Sequence, residues 1–367
     1  MSIAHAARSS RRRGDSRRKG AIAPLAAILL IPILGLAALA IDYAYLLNVR
    51  TDLQRAADAA ALAAVRDLTP DSTGNQNLST VRATAQSFAA SNLPNVSGFT
   101  VRDADISLGR YDPATAYTNF TLLNTGTYDT VQVILRRDSL ANTPVSLFFA
   151  RILGINSSGI SATSTALLQK ASQLGPGADV LPFAVPKATW DSRSYGSQWS
   201  IYGDGHVTDA SGSTIPGNWG TVDIGPSNNS TSALSTQILN GLTQADLDSL
   251  YSQNRIAHRE YIDAMATWMV NGDPGLSVGI KSAIQAIHGQ SRLVPIYDTV
   301  SGNGNNAEYR VVGWGAVVVV DSHWTGNNKS VTIKKTYAYD GHLRAQGSLS
   351  NSTGTIEGVY TSPALVK

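Results

Sequence analysis

Asp321-Ser322-His323 follows the apolar run Val317–Val320 and supplies the residue types that relay a proton to a serine nucleophile. Three consecutive residues cannot generally orient as acid, base and nucleophile, and no G-x-S-x-G elbow accompanies them. The six histidines, His5, His206, His258, His288, His323 and His342, contain no H-E-x-x-H or other compact ligand pair. His258 and Glu260, two residues apart, would lie on different faces of a helix. SGNGNN, residues 301–306, leads into a strand rather than a helix, so it lacks the N-terminal dipole that holds phosphate. With Asp298 and Glu308 it offers calcium oxygens without EF-hand spacing, and it reads as a hairpin connection. No cysteine is present, which excludes thiol catalysis, disulfides and cysteine-based zinc sites. The expectation is a chain that is not an enzyme, with no catalytic residues, no cofactor and no metal site.

The elements that would have to position such groups begin with a basic tail. Of 29 Lys+Arg and 26 Asp+Glu, seven cations and one anion lie in residues 1–20, leaving 22 against 25 in the rest. The basicity therefore belongs to the tail. Its position before an apolar run fits a topogenic charge cluster, and no nucleic-acid partner is expected. Ala21–Ile41 is 21 residues without a charged side chain. At ~1.5 Å per residue a helix of that length crosses the ~30 Å hydrocarbon core. The cations precede the run and Asp42 ends it, which places the N-terminus in the cytoplasm and the remainder outside. Pro24 and Pro32 are expected as lipid-tolerated kinks. Gly35, Ala38 and Ala40 would let another helix approach, but ordinary lipid-facing sequence is the favoured reading. Ala38-Leu39-Ala40 also satisfies a signal-peptidase pattern, but the run exceeds a usual signal core, and a retained anchor is favoured.

Beyond Asp42, Leu46, Val49, Leu53, Ala56, Ala60 and Ala63 follow a 3-4-3-4-3 spacing, one seam of a helix. Arg50, Asp52, Arg55 and Asp58 lie off it, with Arg55 three residues from each aspartate. Such pairs contribute only ~0.2–0.5 kcal/mol each. An alanine seam permits close backbone approach to a neighbouring helix or a small sheet. Residues 21–68 thus predict one helix of about 70 Å, acting as both anchor and stem.

The tail, KGAIAPLAAILLIPILGLAALAIDYAYLL and RTDLQRAADAAALAAV together resemble the N-terminal module of the tight-adherence (Tad) pilus-assembly family, the TadG-like proteins. The matching positions are Gly20, Asp42, Arg50, Leu53, Gln54, Ala57, Asp58, Ala59, Ala60, Ala61, Leu62 and Ala63. A weaker likeness runs to about residue 170 through a helix (STVRATAQSFAASNL), a strand (DTVQVILRR), a helix (PVSLFFARILG) and a strand (ISATSTALL). The resemblance implies a bacterial bitopic protein of the inner membrane, acting in or derived from Flp-type pilus assembly. Its implied partners are the lipid bilayer and other membrane or pilus-assembly proteins met through the N-terminal helix, with homo-oligomerisation left open. Two departures stand out. Pilins of this kind carry Glu five residues after the processed glycine, where this chain has Leu25. Some relatives carry a von Willebrand A domain, and Asp209-Ala210-Ser211-Gly212-Ser213 has the letters of its D-x-S-x-S metal site. The flanking IYGDGHVT and TIPGNWG give no strand-to-helix context, so DASGS reads as a polar turn.

The expected fold class is α+β: a transmembrane helix continuing into an extracytoplasmic helix, then two mixed α+β units. The expected divisions are a tail (1–20), a membrane helix (21–41), a stem (42–68), a small α+β domain (69–172), a linker QLGPGAD (173–179) and a C-terminal domain (180–367). Val81, Ala85, Phe88 and Ala89 predict one helix face, and Val131, Val133 and Leu135 an alternating strand. TSALSTQILNGL and TQADLDSLYSQNRIAHREYIDAMATWMV predict two helices. RLVPIYD, AEYRVVGWGAVVVVD and SVTIKKTYAYD predict strands, with Val317–Val320 in a central one covered on both faces. Trp190, Trp199, Trp219 and Trp314 fit core packing, or less simply contact with carbohydrate or a partner. The functions left open are a structural envelope protein of a pilus or secretion apparatus, a membrane-tethered surface-binding or adhesion module and, ranked last, an exported hydrolase.

Overall fold

The computed structural model describes residues 22–93, 96, 98–111, 120–123, 125–202, 207–208, 214–215, 220–225, 230–274, 276–302, 307–326, 329–345 and 356–366. The fold is α+β. In chain order the first elements are α1 (Ile22–Arg66), α2 (Leu78–Ser91), β1 (Ile106–Tyr111), β2 (Phe120–Leu122), β3 (Thr130–Arg137), β4 (Val145–Ser146), β5 (Ser157–Ser158) and β6 (Ile160–Lys170). There follow β7 (Gln173–Leu174), β8 (Val185–Pro186), α3 (Lys187–Ser192), β9 (Gln198–Tyr202), β10 (Val207–Thr208), β11 (Thr214–Ile215) and β12 (Gly220–Val222). The chain continues with α4 (Thr231–Asn240), α5 (Gln244–Ser252), β13 (Ile262–Asp263), β14 (Trp268–Pro274) and α6 (Lys281–Ala286). It closes with β15 (Ser291–Ser301), β16 (Ala307–His323), β17 (Ser330–Lys335), β18 (Ala338–Tyr339), β19 (Leu343–Arg344) and β20 (Val359–Val366). Two compact units are distinguished: Met1–Thr51 with Arg137–Ile160, and Asp52–Arg136 with Ser161–Lys367.

In the first unit the apolar run of α1 from Leu25 to Ile41 is largely uncovered. Ile28, Ile31 and Leu36 expose 67%, 74% and 69% of their surface, which in water would be a severe penalty and in hydrocarbon is none. Pro32 lies inside α1 without ending it. Pro24 lies within α1 as well, close to its first described residue. Arg137–Ile160 forms a hairpin. β4 and β5 pair antiparallel, Leu147 N–H bonds Asn156 O at 3.0 Å, and the tip is a 3-10 turn, Ala150–Leu153. Gly154 ends that turn at φ +83°, a left-handed conformation that costs glycine little. The helix expected from PVSLFFARILG is therefore a hairpin with one short turn.

In the second unit the remainder of α1 buries Leu53, Ala56, Ala57, Ala60, Ala61, Ala64, Val65 and Leu68, all at 1% exposure or less. α2 buries Val81, Ala85 and Ala89 at i, i+4 and i+8; Phe88, expected on that face, is 47% exposed because it falls one residue off the stripe. These helices lie against a six-stranded sheet of order β18-β20-β6-β3-β1-β2. Gln54 Nε2 reaches Thr163 O on β6, Arg66 lies 4.5 Å from the Tyr339 ring on β18, and Arg82 Nη1 bonds Ile106 O on β1. The last strand of the chain, β20, completes the sheet, pairing antiparallel with β6 and parallel with β18.

The second, larger sheet is organised by the 17-residue β16, which has β15 along one edge and β14 and then β17 along the other. Leu247 and Leu250 of α5 pack with Trp314, Ala316 and Tyr309 on one face. Leu234 and Ile238 of α4 and Ile284 of α6 pack with Val317, Val319 and Ile333 on the other. The Val317–Val320 run is only partly as expected: Val317 and Val319 are buried, Val318 is half-covered and Val320 is 36% exposed. QLGPGAD carries β7, paired with β13 and β19, and buries Leu174 and Ala178. The second of the two predicted helices stops at Ser252. Asn254 turns left-handed at φ +56° and Arg255 N–H returns to Leu250 O, after which the chain enters β13 and β14. Trp190, Trp199 and Trp314 are core residues at 1%, 4% and 2% exposure, and Trp219 lies outside the described residues.

Candidate functional site

Asp42, the first charged residue after the apolar run, is 3% exposed. Its Oδ1 accepts the N–H of Phe148 at 2.8 Å, and its Oδ2 accepts those of Phe149 at 2.9 Å and Ala150 at 2.7 Å. These donors are the amides at the start of the 3-10 turn, which have no partner inside it. An acidic group there is a helix cap supplied from another element, held by three charge-assisted bonds. One turn along α1, the Tyr45 ring meets the Phe148 ring edge-on at 5.3 Å. Ala38, Tyr45, Leu46 and Val49, on the same side of the helix as Asp42, are partly covered. Sequence reasoning found Asp42 but not its partners. Their separation of more than 100 residues leaves no periodic signal.

The expected stem seam is placed mixedly. Leu53, Ala56 and Ala60 are fully buried, Ala63 is half-buried, and Ala64 and Ala61 share the covered face. Arg55 is 78% exposed at its side chain and reaches Asp52 only at 3.9 Å. Asp58 instead accepts from Gln54 Nε2 at 2.8 Å, and that amide also donates to Thr163 O. Gly20 and Asp209–Ser213 lie outside the described residues, as do residues 303–306 of SGNGNN. The strands flanking SGNGNN pair antiparallel, with Ser301 opposite Glu308.

The catalytic candidates do not assemble. Asp321 Oδ1 accepts its neighbour's backbone N–H, Ser322 N, while His323 Nε2 bonds Thr325 Oγ1 at 2.7 Å. Ser322 Oγ does meet a different histidine, His288 Nε2, at 3.0 Å. No third group orienting His288 is among the described hydrogen bonds, and a serine–histidine contact alone is not a relay. A cleft of about 430 Å³ is lined by Tyr251, Arg255, His258, Asp263 and Trp268. His258 there stacks on Tyr261 at 4.5 Å, with no nucleophile and base in contact. Among the described residues no group of three His, Asp or Glu could hold a metal ion.

A second cluster is structural. Lys335, 4% exposed, bonds Trp190 O and Glu357 Oε1, each at 3.2 Å, with its Nζ 4.4 Å from the Trp190 ring and 5.0 Å from the Tyr195 ring. Trp190 Nε1 donates to Glu357 Oε2 at 2.9 Å. Burial raises the Tyr195 hydroxyl far above the ordinary tyrosine range, reinforced by the Glu357 charge.

Residues 20–67 match the Flp pilus-assembly TadE/G-like family (Tad), and residues 50–166 match the Tad-like Flp pilus-assembly family (Tad_C). Comparisons with curated proteins and with solved structures returned no match. The two family matches run through α1, its Asp42 clasp, α2 and the sheet as far as β6. Residues 20–166 are thus similar to the TadE/G-like proteins of Flp pilus assembly, and the likeness ends within β6.

Proposed function

We propose that the protein is a single-pass envelope component of a Flp/Tad-type pilus or secretion apparatus, acting structurally rather than catalytically. The tail 1–20 is cytoplasmic, 21–41 crosses the inner membrane, and the stem and the domains after it lie outside. The observation that carries this is α1 itself: one helix whose apolar run is largely uncovered, and whose second half is built into a folded core within a Tad match. Because the alanine seam is occupied by the chain's own sheet, partner contacts in the apparatus fall to the uncovered positions of the membrane half, such as Leu34 and Leu36.

The test is in-cell photo-crosslinking from Leu34 and Leu36, with pilus counts in a deletion strain complemented by each variant. Adducts with other membrane proteins of the apparatus, and loss of pili on deletion, are expected. Normal piliation without the protein would overturn the assignment. An accessible N-terminal tag on spheroplasts would overturn the orientation.

A further inference from the structure

The hairpin tip of the first unit is apolar and uncovered. Phe148, Phe149, Ile152, Leu153 and Ile155 are exposed by 63%, 39%, 84%, 66% and 52%. Its flanks are polar: Asn142 and Thr143 before it, and Asn156, Ser157 and Ser158 after it. An apolar set confined to the end of a hairpin needs a cover, and two observations identify one. The first is height. Asp42 and Tyr45 fix the tip beside the point where the uncharged run ends at Ile41, and the partly covered Ala38 lies one turn further into that run. The second is polar accounting. The N–H groups of Phe148, Phe149 and Ala150 are taken by Asp42, those of Ile152, Gly154 and Ile155 by carbonyls within the tip. Six of the tip's eight N–H groups thus have named acceptors, which lowers the penalty that keeps ordinary loops out of an apolar medium.

We propose that the tip Phe148–Ile155 is a second membrane contact, inserting its Phe, Ile and Leu side chains at the headgroup–acyl boundary beside the outer end of α1, with lipid as its partner. Such elements sink about 5–10 Å, the depth at which aromatic belts lie. Tyr43, 64% exposed, joins the same belt. The exposed Arg151 carries its guanidinium to lipid phosphates while its stem lies among the apolar side chains. Helix and tip together give the unit two points on the bilayer, which restrict its rotation and tilt as one helix does not. The inference rests on α1 crossing the membrane.

Because the chain has no cysteine, single-cysteine labelling is clean. Full-length Ile152→Cys, with Leu140→Cys as an aqueous reference and Ile31→Cys as a bilayer reference, is labelled with the fluorophore NBD. Each is reconstituted in phosphatidylethanolamine/phosphatidylglycerol vesicles. The probe at residue 152 is expected to be quenched at least about twofold more by lipid spin-labelled near the headgroup than near the chain end, and to resist iodide relative to residue 140. Iodide access at 152 equal to that at 140, with residue 31 quenched by chain-end label, overturns the tip contact and leaves the membrane helix standing. Iodide access at residue 31 as well overturns both. Shielding of 152 from both quenchers that grows with protein density assigns the tip to a second copy and overturns lipid as its partner.

Discussion

Asp42 does two jobs with one carboxylate: it closes the uncharged run and caps the 3-10 turn of a segment more than 100 residues away. Asp42→Ala leaves three amides without their acceptor, so the Phe148, Phe149 and Ala150 amides are expected to exchange with solvent on the order of tenfold faster or more. Core amides such as those of β16 should be unchanged, and equal protection in the variant would remove Asp42 from its positioning role. Lys335 is the other residue whose chemistry is decided by burial. Lys335→Met keeps the stem's volume but removes the cation between the Trp190 and Tyr195 rings, for an expected loss of about 1–3 kcal/mol. The half-exposed Glu357 can rehydrate, which keeps the loss below that of a fully buried pair. The check is thermal unfolding of the detergent-solubilised chain, with Glu357→Gln in the double variant to isolate the pair.

At the scale of elements, α1 shows how one helix is assigned two solvents. Its membrane half keeps large apolar side chains outward, while its second half buries an alanine face at zero exposure on the part of the helix that Gln54 ties to β6. Ala60→Leu adds side-chain volume where exposure is zero and is expected to cost about 1–3 kcal/mol by overpacking. Arg55→Ala, at a position 78% exposed, should change stability by less than about 0.5 kcal/mol. Comparable melting of the two variants would argue against the alanine face as the packing face. On the central strand of the larger sheet, a Cβ on Gly315 would overlap the Trp190 ring, so this position has no room for a side chain while Trp190 keeps its place.

For the molecule as a whole, the closing strand β20 matters beyond its length. It lies between β18 and β6, so deleting residues 357–367 is expected to expose the β6 edge and loosen the sheet that carries the family match, read as lost exchange protection across Ile160–Lys170. Undiminished protection there would show that the sheet stands without its last strand. Buried tyrosines set the alkaline limit. Tyr360 is pushed up to about 12, chiefly by burial, with Tyr337 and Asp129 adding to it, and burial raises Tyr297 still further. A raised folded pKa contributes stability that is fully present below the unfolded value of about 10 and is lost as pH rises through about 12. Absorbance at the phenolate band should therefore show exposed tyrosines ionising first. A later step should coincide with loss of near-ultraviolet circular dichroism, and a single step near 10 with intact dichroism would contradict it.

The amino-acid sequence by itself determined the features written in local pattern. These are the charge-free run of membrane length, the 3-4 alanine spacing of the stem, the alternation of Val131, Val133 and Leu135, and the long strands of the second sheet. The Tad likeness was legible for the same reason, since its motif occupies about 50 contiguous residues. Tertiary structure decided what depends on distant partners. SLFFARIL has helical spacing, yet the amides of Phe148, Phe149 and Ala150 are taken by Asp42, and the segment folds as a hairpin tip. TQADLDSLYS continues into helix-compatible sequence, yet Trp268 and Val270 are drawn into β14 beside β16. β20 joins a sheet whose other strands lie mostly two hundred residues earlier. In each case local propensity is worth tenths of a kcal/mol per residue, and a buried strand pairing or a set of charge-assisted bonds outweighs it.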